Sequence, residues 1–317
     1  MLSSAISRKS DLDLSQVQVE ACPSCGHKGY AIAGNPGKAF DVPLGQNIYR
    51  QPDYRIKKCL ECDLYYKSDI LDREELERYY QEVDFQKWES PLLFPTEKVL
   101  LEILLDVKPG SKILDYGCST GRLLSKLIDR YECYGVELNQ EASEIAKRKG
   151  LNIISENELQ QHQKSFSAII LSDVFEHLLE PIKVLAKLCD SLNEKGLLLL
   201  STGNADARAC QKDIANFWYF RTPEHLCMLG RKHADYLSSY LNLKLVRWRE
   251  VSHYDKDWIV MCRQFIQDFA YWKFHHGNNS FMPAILRRIP LIKKAEFWEL
   301  PPPYIYTNDH VVLALQK

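Results

Sequence analysis

The sequence predicts an α/β protein: a parallel sheet covered by helices, preceded by a small cysteine-rich module. Two observations predict it. From Lys112 onward, short apolar runs alternate with amphipathic stretches at helical spacing, the pattern of a sheet buried on both faces. Ahead of them, Cys22/Cys25 and Cys59/Cys62 form two CxxC pairs among Gly, Pro and Asn residues.

The bulk numbers exclude several classes. A chain of 317 residues has room for one to three domains and a sizeable core. Its 45% hydrophobic and 26% charged residues are ordinary for a globular protein. With 41 Lys+Arg against 42 Asp+Glu, it lacks the basic excess of a dedicated nucleic-acid binder, although a local patch stays open. The polar start MLSSAISRKSDLDLSQ has no apolar core of a signal peptide. Apolar runs such as Ile169–Leu171 and Leu197–Leu200 fall far short of the roughly 20 residues of a membrane helix. The expectation is a cytoplasmic protein without a membrane span.

In chain order, residues 1–19 read as a mobile tail and 20–70 as the cysteine module. Residues 71–108 read as a helical linker or lid, with helices in LDREELERYY and EKVLLEILL. Lys108-Pro109-Gly110 then breaks the chain before a strand. KILDYG, CYGVEL, LNIIS, FSAIILSDV and GLLLLST read as five strands, separated by helices in GRLLSKLIDR, EASEIAKRKG (capped at Gly150) and IKVLAKLCDSLN. HADYLSSYL reads as a further helix. LKLVRWREV and DHVVLALQK read as a late strand pair closing the sheet. Residues 109–250 are the expected main domain and 251–317 an acceptor-side insertion with a closing strand. Residues 255–306 give no residue-level reading.

The first strand runs into Gly117-Cys118-Ser119-Thr120-Gly121 and a helix, so two residues without Cβ flank a turn that a ligand can approach closely. Glu137 ends the next strand, twenty residues beyond Gly117, placed to accept ribose hydroxyls. The dinucleotide fingerprint GxGxxG is absent, which argues against a nicotinamide enzyme. DYGCSTG resembles the first motif of the class I S-adenosylmethionine (SAM) dependent methyltransferases, DxGCGTG, with Ser119 where that family has a glycine. FSAIILSDVFEHLLEPIKVLAKLCDSLNEKGLLLLSTGN is similar to the fourth and fifth strands of the same family. The resemblance spans roughly Pro109 to Asn204. It implies a Rossmann-like seven-stranded methyltransferase sheet with SAM as cofactor. On that resemblance Asp115, Gly117, Cys118 and Gly121 would hold the amino-acid end of SAM, Glu137 and Leu138 its ribose and adenine, Glu156 or Asn157 the adenine edge, and Ser172 and Asp173 the methionine portion.

CPSC and CLEC each put two thiolates on one tight turn. Together Cys22, Cys25, Cys59 and Cys62 make a closed tetrahedral set suited to structural zinc. The thirty-three residues between the pairs suggest an insert. The six other cysteines are scattered, and no thioredoxin-like βαβ pattern surrounds the pairs. A zinc ribbon, a helix ending in tyrosines and a SAM domain together resemble zinc-containing methyltransferases of sugar and small-molecule pathways.

Methyl transfer needs alignment and, for a hydroxyl or acidic carbon, a base. Two clusters are expected at the carboxyl edge of the sheet, Glu176-His177 and Glu224-His225. The sugar enzymes carry a PEHL element in the active site, matching Pro223–Leu226. His225 is therefore the expected base, Glu224 its partner and His177 the second candidate; structural roles for both histidines stay open. Tyr79 and Tyr80 could close as a lid, and Trp218 and Tyr219 could wall the acceptor pocket, with core packing as the rival. Arg287-Arg288 and Lys293-Lys294 read as a solvated basic face. The expected activity is SAM-dependent O- or C-methylation of a small acceptor, best a sugar or nucleotide-linked sugar. An RNA or protein methyltransferase gripping its substrate with the ribbon is the alternative, although SDVFEHL after the fourth strand lacks the Asn/Asp-Pro-Pro-Tyr signature of base N-methylation. A scaffold with a degenerate SAM domain is the third reading, resting on Ser119 alone.

Overall fold

A computed structural model describes residues 16–44, 47–51, 53–82, 90–276, 288, 301–302 and 307–317. Most of the expected tail (1–15), Arg287, Lys293, Lys294 and much of 277–306 lie outside the described residues.

The cysteine module is built from short strands: β1 Gln16–Gln18, β2 Tyr30–Gly37, β3 Phe40–Leu44, β4 Asn47–Gln51, β5 Tyr54–Cys59, β6 Tyr65–Lys67 and β7 Asp69–Leu71. The β3–β4 hairpin is the insert between the CxxC pairs. Two helices follow, α1 Arg73–Glu82 and α2 Pro95–Leu104. Pro95 opens α2 where no N–H is needed, and Glu97 Oε2 accepts the Phe94 N–H at 2.7 Å.

The main sheet uses β8 Lys112–Tyr116, β9 Glu132–Val136, β10 Asn152–Ile153, β11 Phe166–Ser172, β12 Leu192–Gly203, β14 Lys244–Val251 and β15 His310–Gln316. Its order is β10-β9-β8-β11-β12-β15-β14, seven strands as expected. The five strands from β10 to β12 are mutually parallel, and β15 runs antiparallel to both β12 and β14. Alternate residues fill opposite faces. Leu114, Ile169, Leu171, Leu198 and Leu313 meet Ile182, Leu185 and Leu188 of α4 (Pro181–Ser191), with Ala234 and Leu237 of α6 in the same core (α5 is Arg208–Lys212, α6 Arg231–Tyr240). Ile113, Ile170, Leu199 and Val312 meet Val99, Leu100, Ile103 and Leu104 of α2. Helix α3, Gln140–Arg148, is capped by Asn139, whose side chain accepts the Ala142 N–H at 3.0 Å, and Gly150 follows it at φ +96°.

One reading needs correction, and two features were not anticipated. GRLLSKLIDR forms only a 3₁₀ turn at Leu124–Lys126. Ser125 Oγ donates to the Arg122 carbonyl and Cys133 Sγ to the Leu124 carbonyl, competing for acceptors that an α-helix would use. The four-stranded sheet of the cysteine module, β13-β6-β5-β2, takes in β13, Cys227–Met228, from beyond the fifth main strand. Finally, Trp258–His276 is a 19-residue helix, α7. Here Gln264, Gln267 and Asp268 are buried while Trp258, Ile259 and Phe265 are exposed, the reverse of the stripe by which a helix is recognised in sequence. No helix among the described residues is long and apolar enough to cross a membrane.

Candidate active site and cysteine centre

The turn after β8 is held open by left-handed backbone. Gly117, Ser119 and Gly121 have φ of +81°, +46° and +70°. A Cβ on Gly117 would lie 2.6 Å from Val174 Cγ2, so only glycine fits there without moving a neighbour. Ser119 takes the same left-handed region at a steric cost, and its N–H donates to Glu137 Oε2 at 2.8 Å. Glu137 Oε1 accepts the Asn139 N–H at 2.7 Å, so this carboxylate joins the glycine turn to the start of α3.

Asp115, at the end of β8, is buried, and its Oδ1 has no hydrogen-bond partner. Burial, with the charges of Glu97 and Glu137 nearby, pushes its carboxyl up to about 7. A buried, unpartnered acid beside two further carboxylates suits a cationic ligand group. Arg122 closes this side: it pairs with Glu97 at 2.7 Å and lies over the Phe94 ring. Cys118 is buried under the turn. Leu138, by contrast, is 74% exposed, an apolar surface beside Glu137. Glu156 accepts from the Tyr116 hydroxyl and lies 3.8 Å from Lys187 Nζ; Asn157 is exposed. A buried acid without a partner, a glycine turn open to close approach and an exposed apolar side chain beside a carboxylate are chemistry that fits SAM.

Across the carboxyl edge, β11 leads through Ser172 into Asp173 (φ +53°), whose N–H donates to Ser201 O at 2.8 Å. Asp173 is likewise pushed up by burial, to about 6. Glu176 is fully buried and accepts from Thr202 Oγ1 at 2.8 Å and from the Tyr219 hydroxyl. His177 Nδ1 meets the Tyr80 hydroxyl at 2.8 Å, so α1 reaches the site through one of its two tyrosines. The His177 and His225 rings are 4.8 Å apart, edge to face.

His225 Nδ1 lies 2.6 Å from the Tyr219 carbonyl, which can only accept. That fixes the proton on Nδ1 and leaves the Nε2 lone pair free. Burial first, then the neighbouring charge of His177, keeps His225 well below the usual histidine range. His225 is thus uncharged at pH 7. Glu224 does not orient it. The Glu224 side chain lies with Tyr79, which donates to it, and with the buried Lys67 of β6, whose ammonium also holds the Thr222 carbonyl. Neighbouring residues in this irregular loop send their side chains to different sides. Burial drives the Lys67 ammonium down to about 7 against the pull of Glu224.

Sequence reasoning missed His253, Asp309 and His310. His310 is fully buried, 4.4 Å ring to ring from His253 and 5.0 Å from Tyr219. Trp218 and Tyr219 wall this region, Trp218 donating to Asp309 Oδ2 at 3.2 Å, while Tyr219 packs where a Cβ on Gly203 would sit 2.5 Å from its ring. The missing signal was direction. An antiparallel strand starts at the edge where its parallel neighbours end, so the Asp-His pair opening DHVVLALQK belongs with the residues after β11 and β12.

The four module cysteines converge as expected from their spacing. Cys22 and Cys62 sulfurs are 3.5 Å apart, as are those of Cys25 and Cys59, and all four lie within 4.8 Å of one another. A tetrahedral zinc with thiolates at 2.3 Å asks for about 3.8 Å between sulfurs. Each CxxC turn ends on left-handed backbone, Gly26 at φ +75° and Asp63 at φ +63°. His233 of α6 braces the site through the Cys62 carbonyl at 2.8 Å.

With this geometry in place, comparison with known proteins is informative. The family profile described as "Methyltransferase domain" matches residues 85–246, just over half of the chain. The chain belongs to the class I SAM-dependent methyltransferase family. This methyltransferase chain is 25% identical over 121 residues to a ubiquinone biosynthesis O-methyltransferase of Shewanella sp. (strain ANA-3). That match covers 35% of this chain and 51% of the relative, so the chain spans about half the length of the curated relative it matches. Among solved structures it is similar to a SAM-dependent methyltransferase from Archaeoglobus fulgidus (12% identity, TM-score 0.43, 78% of this chain and 100% of that one). It is also similar to the YcgJ protein of the Bacillus structure (13% identity, TM-score 0.46, 70% and 96%).

Proposed function

We propose that this methyltransferase moves the methyl group of SAM to a hydroxyl or acidic carbon of a small acceptor, a sugar or nucleotide-linked sugar, with His225 as general base. The observation that carries the reading is His225 itself: neutral, its Nδ1 fixed on the Tyr219 carbonyl, its Nε2 free beside His177 and the Trp218–Tyr219 wall. The name of the Shewanella relative, an O-methyltransferase, fits an oxygen acceptor.

SAM, when bound, supplies an activated methyl on a cationic sulfur. Asp115 would hold its ammonium, Gly117, Cys118 and Gly121 would line the amino-acid end, and Ser172 and Asp173 would border the methionine portion. Glu137 would leave Ser119 for the ribose hydroxyls, with Leu138, Glu156 and Asn157 around the adenine. His225 Nε2 takes the acceptor proton as the new O–C or C–C bond forms and the S–C bond breaks, its electron pair staying on sulfur. His177, bonded to Tyr80, is the second proton-handling group. Trp218 and Tyr219 exclude water and position the acceptor. A structural zinc held by Cys22, Cys25, Cys59 and Cys62 would anchor the module whose sheet includes β13, just after the His225 loop.

The test is S-adenosylhomocysteine formation from SAM with free sugars, nucleotide-linked sugars and phenols as acceptors, in wild type and His225→Gln. Acceptor-dependent product with the sugars, reduced at least a hundredfold in the variant while S-adenosylhomocysteine still binds, supports the reading. Turnover with phenols alone refutes the sugar acceptor, and an unchanged rate in the variant refutes the base.

A further inference from the structure

We infer that Asp173, His253 and His310 form a second metal site, one that takes a divalent transition-metal cation at the acceptor edge of the sheet. One donor atom from each residue lies within 4.8 Å of the other two. A cation about 2.1 Å from each donor requires them to close in by less than about 1 Å, a side-chain adjustment. Two imidazoles and one carboxylate suit a first-row transition metal with open positions, whereas an oxygen-only set would suit magnesium or calcium.

Unpartnered buried atoms are the second, independent observation. Asp173 Oδ1, His253 Nδ1 and both ring nitrogens of His310 are buried atoms without a hydrogen bond, and His310 as a residue is fully buried. Such orphans on three facing side chains are costly unless something satisfies them together.

Asp309 lies beside both histidines. Its Oδ1 lies 3.3 Å from His310 Nδ1 and accepts the His253 backbone N–H at 2.8 Å, which fixes the chain that carries that ring. His310 Nε2 lies 3.7 Å from Asp173 Oδ1, and neither ring nitrogen of His310 makes a hydrogen bond among the described residues. The surrounding charge is also favourable: Asp173, Asp309 and Glu97 stand against Arg122, which Glu97 already pairs. Fold topology brings the set together, since β14 ends and β15 begins at the edge where β11 ends.

Cation binding does not depend on the acceptor reading. A further role, polarising an acceptor oxygen next to the Trp218–Tyr219 wall, does rest on it. The experiment therefore reads the cation alone. Zinc-loaded full-length protein is titrated with cobalt(II) and followed by visible absorption, with melting curves as the check on folding. Expected is one cobalt per chain with weak nitrogen/oxygen d–d bands and no thiolate charge-transfer band. Binding should be lost in both His253→Gln and His310→Gln, and weakened about 10- to 100-fold in Asp309→Asn. Wild type that takes up no cobalt overturns the inference. So does cobalt binding unchanged in both folded histidine variants, which would place the ion on Glu176, His177 and His225, or a spectrum dominated by thiolate bands.

Discussion

The two sides of the sheet's carboxyl edge are built differently. The proposed cofactor side comes from a nearly continuous stretch, Asp115 to Asn157, in which a strand, a glycine turn and the next strand end lie close in sequence. The proposed acceptor side is assembled from the loop before β13, the end of β14, the start of β15 and α1, drawing His177, His225, His253, His310 and Tyr80 from across the chain, with Asp173 after β11 at the border of the two sides. A site encoded locally tolerates little change of spacing but needs little outside help. A site gathered from distant segments depends on every element that holds those segments in register, including the cysteine module.

The strongest way to break this comparison is to remove the module's metal ligands. Cys59→Ser or Cys62→Ser should forfeit most of the metal-linked folding energy, on the order of 10 kcal/mol in zinc-finger peptides. Because β6 pairs with β13 and Lys67 holds Thr222, methyl transfer should vanish while S-adenosylhomocysteine binding persists. Zinc content, melting and calorimetry check this; transfer that survives module collapse would show the acceptor side to be autonomous. Next, His225→Gln should slow turnover by about 10² to 10⁴ with cofactor affinity unchanged. As burial holds His225 well below 6.5, the base stays neutral as pH falls through 7, so the acid limb of the wild-type rate profile should lie below pH 6.5.

On the cofactor side, Glu137→Ala should weaken S-adenosylhomocysteine about 100-fold, about 3 kcal/mol for two hydrogen bonds to a charged acceptor, measured by calorimetry. Ser119→Gly should relieve the left-handed strain and raise stability by about 1 kcal/mol, a melting shift of roughly 2 °C. The smallest effect is protonic. With its carboxyl near 7, Asp115 is partly protonated at neutral pH without ligand, and an incoming ammonium lowers that value. Binding should thus release up to about half a proton at pH 7 and progressively less above pH 8, read from calorimetry in buffers of different ionisation enthalpy.

How much was legible follows the same division. The strand sequence, Gly117, Gly121, Glu137 and the cysteine quartet could be read because each rests on local spacing or on a period of two. The helix expected after β8 could not be excluded from sequence, because its leucines keep helical spacing while Ser125 and Cys133 compete for the carbonyls. Helix α7 hid because its polar residues face inward. The PEHL loop suggested Glu224 as the partner of His225, but the Glu224 side chain turns to Lys67 on the other module, 157 residues earlier. Asp309 and His310 were written off as the start of a strand, since sequence pattern shows that a strand exists but not which way it runs.

The position of β15 also sets an order of assembly. It lies between β12 and β14, yet all its residues come after both. As the chain leaves the ribosome, β14 emerges with no neighbour to pair with and must wait some sixty residues for one. The glycine turn and its partners can close long before that. A nascent chain can therefore close its glycine turn early, whereas the pairing of His253 with His310 exists only when the last strand slides into the gap.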